Sequence, residues 1–139
     1  MHEWAIDRLR KSSLLTVLDG GFANRRDAIN HAKSETEAYV LLLQLQDSPS
    51  SPGAAAERPA AGQMWIDLSI LIPGSGKAKH TKRITLNEEL RQGLPPSILR
   101  TCRTGIFGND YLLLEASLKA AEHVMSLFNI PIPPDCPRP

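Results

Sequence analysis

Leu14-Leu15-Thr16-Val17-Leu18-Asp19, a polar stretch of helical length over residues 24–37, and Ala38-Tyr39-Val40-Leu41-Leu42-Leu43-Gln44-Leu45 decide how the fold is read. An apolar strand, a crossover helix and a second apolar strand make a βαβ unit, whose strands pair in parallel through a right-handed connection. Gly20-Gly21 ends the first strand with a permissive turn, and Asn24 followed three residues later by Asp27 is a helix N-cap with an acidic first turn. The crossover helix therefore starts near Arg25 and lays Ala28, Ile29, Ala32 and Ala38 against the sheet as a narrow stripe.

Outward from this unit, residues 3–11 read as a short amphipathic helix with Trp4, Ile6 and Leu9 inside and Asp7, Arg8, Arg10 and Lys11 outside. On the other side, residues 47–62 turn to Ser, Pro, Gly, Ala and Glu, a composition that buries too little apolar surface to order itself. A flexible surface loop over 48–62 is expected. Residues 64–72 then alternate, Met64, Ile66, Leu68, Ile70 and Ile72 on one side against Trp65, Asp67, Ser69 and Leu71 on the other. Pro73-Gly74-Ser75-Gly76 is turn chemistry, and 77–86 returns as a polar strand suited to a sheet edge.

Residues 87–108 form an irregular connection. Over 111–128, Leu114, Leu118, Ala121, Met125 and Phe128 recur at helical steps, widened by Leu113, Val124 and Leu127, so a helix should cross the sheet and end at Asn129. The prolines of 130–139 leave an extended tail. The expected whole is a single α/β (α+β) domain over 1–129. It has a mixed sheet of about four strands in β-α-β-β-β-α order, preceded by the short N-terminal helix, with helices mainly on one face.

Composition sets further bounds. The chain has 139 residues, 42% of them hydrophobic, enough for one core without staples. Its net charge of +1, from 16 basic and 15 acidic residues, supplies no global field for nucleic acid or an anionic membrane. No apolar run approaches the ~20 residues needed to span a bilayer. Cys102 and Cys136 form no C-x-x-C pair, and a disulfide between them or no bond at all both fit.

Motifs of chemistry are few. Gly74-Ser75-Gly76-Lys77-Ala78 imitates a phosphate loop, but that pattern needs glycine where Leu71 stands and Ser or Thr where Ala78 stands. It reads as a hairpin turn. His2, His31, His80 and His123 have no companion at ligand spacing, so no metal and no cofactor is expected. Asp19, at the carboxyl end of the first strand, occupies the rim where open α/β sheets bind ligands, with Asn24, Arg25, Arg26 and Asp27 nearby. The plainer reading has Asp19 closing a turn onto the glycine amides while Asn24 caps a helix. The basic run Lys77, Lys79, His80, Lys82, Arg83 would place alternate charges about 6.6–7 Å apart on one strand face, near phosphate spacing. Only Trp65 accompanies it as a stacking aromatic, which disfavours nucleic acid and leaves an aggregation-resistant edge as the plain alternative.

Leu9-Arg10-Lys11-Ser12-Ser13-Leu14-Leu15-Thr16-Val17-Leu18-Asp19, Arg26-Asp27-Ala28-Ile29 and Glu35-Thr36-Glu37-Ala38-Tyr39-Val40-Leu41-Leu42-Leu43-Gln44-Leu45 carry a family pattern. It resembles the domain shared by the TolB amino terminus, the curli secretion-channel lipoprotein and related bacterial envelope lipoproteins. The hairpin turn Gly76-Lys77 and the closing helix over 116–128 fit as well, so the resemblance covers residues 3–128, with Glu37 standing where a glycine is common. It implies a non-enzymatic envelope module that acts by protein contact, periplasmic or secreted if the natural chain carries a signal. No catalytic residue is carried over. Three functional expectations result: protein binding through a sheet edge or the first strand's rim; a small hydrolase or transferase using Asp19 and His31; and anionic-polymer binding through residues 77–83.

Overall fold

The computed structural model describes residues 2–21, 23–47, 64–86 and 109–133. The expected loop over 48–62, the connection over 87–108, both cysteines and the end of the tail lie outside the described residues. In chain order the elements are α1 (His2–Arg10), α2 (Arg25–Ser34), β1 (Val40–Asp47), β2 (Met64–Leu71), β3 (Ala78–Thr85) and α3 (Asn109–Leu127).

Local chemistry accounts for the helix ends. Asn24 Oδ1 accepts the Asp27 amide at 2.9 Å, so α2 starts where its cap dictates. At the far end of α3, the Asn129 amide donates to Ser126 O at 3.1 Å and the Ile130 amide to Met125 O at 2.8 Å, with Asn129 at φ 54°. This is a Schellman motif, and the contact of Ile130 with the cluster containing Met125 completes it.

Among the described residues the sheet has three strands in the order β1-β2-β3, both pairs antiparallel. Residues 14–19 are not among them, which corrects the expected parallel βαβ unit; the other three expected strands are present. Leu15 and Val17 do pack on the core, while Leu14 and Leu18 are 68% and 84% exposed. The period-2 burial of a strand is therefore present without a ladder. Arg10 Nε and Nη2 donate to Val17 O at 3.3 Å, so a side chain takes the carbonyl that a neighbouring strand would have used.

Successive strand residues face opposite layers. Leu41, Leu43, Leu68 and Ile70 meet Ala5 and Leu9 of α1 and Ala121, Val124 and Met125 of α3. Farther along the same face, Ile66, Ile84 and Leu86 meet Leu112, Ala116 and Ala120. Leu42 and Leu71 point the other way, onto Ala28 and Ala32 of α2. Helices thus lie on both faces, α1 and α3 on one and α2 on the other.

The seam of α3 keeps Leu114, Ala121 and Met125 of the expected stripe buried and adds Ala116 and Ala120, whereas Leu127 is exposed. Alanine lets the helix axis approach the sheet closely, and its small side chain gives a weak periodic signal. On α1, Ala5, Arg8 and Leu9 are buried in place of Trp4 and Ile6. Arg8, expected outside, lies inside with Glu122 as its partner.

Candidate binding edge on strand β3

Strand β3 pairs with β2 alone among the described residues, and six of its eight residues are exposed. Its polar sequence suits an edge, since lysines on the rim discourage uncontrolled pairing. The register pairs Leu71 with Ala78 but Ile70 with His80, which leaves Lys79 as the extra residue of a bulge. The bulge aims Lys79 at two aromatic rings. Its Nζ donates to Tyr39 Oη at 3.2 Å and lies 4.8 Å from the Tyr39 ring centroid and 5.1 Å from that of Phe128.

Beyond the bulge, the strand's two faces carry different chemistry. Ile84 turns into the core beneath α3. His80 and Lys82, four and two residues earlier on the same face, reach His123 of α3. His80 Nε2 and His123 Nε2 are 2.9 Å apart, and Lys82 Nζ is 3.4 Å from His123 Nδ1. Burial, then the nearby Lys82 and His80, hold His123 below the ordinary histidine range.

On the opposite face, Arg83 Nε donates to Asp67 Oδ1 at 2.9 Å and its guanidinium stacks 4.5 Å from the Trp65 ring centroid. Trp65 Nε1 donates to Asp67 Oδ2 at 3.1 Å. The Arg83 hydrogen bond, with smaller contributions from Trp65 and the charge of Arg25, outweighs burial and holds the Asp67 carboxyl below its ordinary value. Arg25, the first residue of α2, thus acts on the sheet face, while Arg26 is exposed.

The expected run of evenly spaced charges is therefore divided. Lys77 is exposed in the turn, with its amide on Ser75 Oγ at 3.2 Å. Lys79 sits in the bulge, Lys82 faces α3, and Arg83 is engaged by Asp67.

Asp19 lies apart from this edge. Its Oδ1 accepts the Gly21 amide at 2.8 Å and its Oδ2 is 3.9 Å from His2 Nε2. That is the turn-closing role, and without a strand before it the residue no longer stands on a sheet rim. His31 pairs along its own helix with Glu35 at 3.4 Å. Asp19 and His31 are thus engaged by different partners. Sequence reasoning missed the partnership of His80 with His123, which lie 43 residues apart, because neither has a ligand-spaced neighbour along the chain.

Among the described residues, no cluster of three or more His, Cys, Asp or Glu could hold a metal ion, and no helix is long and apolar enough to cross a membrane. Comparison with protein-family models, with curated proteins and with solved structures found no match to this chain.

Proposed function

We propose that this protein is a binding module, not a catalyst, and that it docks an acidic, extended segment of a partner protein alongside β3. The observation that carries the reading is the strand itself. It is an exposed edge with pairing on one side among the described residues, bearing Lys79, Lys82 and Arg83, with Lys77 in the turn that leads into it. An added strand gains main-chain hydrogen bonds from such an edge, and the cations select for carboxylates. Asp19 and His31, engaged by separate partners, give the hydrolase or transferase reading no assembled acid–base pair. Placement in a bacterial envelope rests on the resemblance of residues 3–128 and is checked by fractionating cells of the native host.

A decapeptide of alternating aspartate and threonine, titrated into isotopically labelled protein, should shift the amide resonances of residues 77–85. Lys79→Glu combined with Lys82→Glu should weaken binding by about tenfold or more. Added salt should weaken it further, as screening requires. A peptide of alternating lysine and threonine that binds equally well would overturn the reading, as would shifts confined to α2 or to residues 14–19.

A further inference from the structure

We propose that His80, His123 and Lys82 form a proton-linked site for a single carboxylate side chain of the docked segment. This inference rests on the acidic-partner reading above and adds the position and the pH dependence of one contact.

The proton positions follow from donor and acceptor capacity. An ammonium only donates, so at 3.4 Å from Lys82 Nζ the Nδ1 of His123 is the acceptor. Neutral His123 then carries its proton on Nε2, and at 2.9 Å His80 Nε2 accepts it. His80 in turn keeps its own proton on Nδ1. One further proton, on either ring, sets a donor against a donor.

Among the described residues, no carboxylate is hydrogen-bonded or ion-paired to either ring. From β3 itself come Lys79 and Lys82, and from α3 come Lys119, one turn before His123, and Glu122. Glu122 is held by Arg8 at 2.7 Å. Across the ladder, β2 places Ile70 opposite His80 and Leu68 opposite Lys82, neither of them charged.

A carboxylate supplies what is missing. It only accepts, through two oxygens, so seated between the parted rings it takes one N–H from each ring once the further proton is present, and a third contact from Lys82. Both rings remain partly solvent-accessible, which leaves room for entry. Binding and protonation therefore favour each other, and the affinity for an acidic segment rises as pH falls toward 5.5. A divalent metal fits less well. A ligating imidazole donates its other N–H to an acceptor, whereas here the Lys82 ammonium stands at that nitrogen.

The test uses the aspartate–threonine decapeptide with the whole chain at pH 7.5 and pH 5.5, by calorimetry in two buffers of different ionisation heat. Aspartate, ordinarily titrating near 3.9, stays ionised throughout this range. The expected result is net proton uptake and an affinity at least about fivefold greater at the lower pH, within the limit of tenfold per pH unit for each proton. His80→Gln with His123→Gln should lose the gain, its affinities at pH 7.5 and pH 5.5 agreeing within about twofold. Nitrogen-15 imidazole titrations of the unmodified chain give a readout free of folding effects: peptide should move proton uptake by the pair to higher pH. Peptide that binds β3 with equal affinity at both pH values and no proton uptake would overturn the site and leave the acidic-partner reading standing. Absence of binding at β3 at either pH would overturn both.

Discussion

Arg8 Nη2 donates to Glu122 Oε1 at 2.7 Å across 114 residues of chain, joining the first helix to the last. Arg8 is 2% exposed and Glu122 29% exposed, so the arginine carries most of the desolvation. Removing only the carboxylate takes an ion-pair partner away from a buried charge, whereas replacing the arginine by an apolar chain of similar length removes the charge itself. Glu122→Ala should therefore cost about 3 kcal/mol in urea unfolding, and Arg8→Met distinctly less. Equal losses would mean that packing of α1, not charge pairing, dominates this contact.

His123 should make the unliganded protein less stable in mild acid. Burial, Lys82 and His80 lower its proton affinity in the folded state, so the unfolded chain binds more protons between the folded value and the ordinary 6.5. Stability from this group is complete above about pH 6.5 and is lost as pH falls through the lowered folded value. His123→Gln should flatten that part of the profile, measured as the denaturation midpoint between pH 8 and pH 5. An unchanged slope in the variant would assign the acid sensitivity to other groups.

Elements announced by neighbouring residues were legible from the sequence. Asn24 and Asp27 mark the start of α2, the alternation over 64–72 followed by Pro73-Gly74-Ser75-Gly76 marks the hairpin, and Asn129 marks the end of α3. Residues 14–19 misled because a short apolar run reports that side chains can face a core, not whether a strand lies alongside. Leu15 and Val17 satisfy the pattern from a segment outside the sheet. The basic run of β3 was visible as composition, but the bulge that re-aims Lys79 and the meeting of His80 with His123 depend on register and on packing against α3. Such pairings between distant segments leave no local spacing to read.

Asn24→Ala should destabilise the fold by about 1 kcal/mol, since the exposed cap loses its hydrogen bond to the Asp27 amide at 2.9 Å. Asn24→Asp should retain most of the stability, because aspartate accepts the same bond and favours the positive end of the helix dipole. Thermal unfolding of both variants checks the pair of outcomes. A loss as large for aspartate as for alanine would show that the cap contributes through something other than its acceptor.

Gly74 and Gly76 share one turn and both have positive φ, 77° and 66°, yet they should respond differently to alanine. At Gly74 a new Cβ meets nothing within 4 Å, so the cost is the left-handed backbone alone, about 1–2 kcal/mol. At Gly76 the same atom would lie 2.9 Å from the Ile29 carbonyl oxygen and 3.0 Å from Ile29 Cγ2. That oxygen belongs to the backbone of α2, and the turn is also tied to this helix by the Gly74 amide on Ala32 O at 2.8 Å. Relief therefore requires the hairpin and α2 to separate, which disturbs the packing of Leu42 and Leu71 on Ala28 and Ala32. Gly76→Ala should cost about 3 kcal/mol, combining backbone strain with overpacking. In chemical denaturation its midpoint should fall well below that of Gly74→Ala. If the two variants unfold together, α2 does not bear on the turn as closely as these distances require.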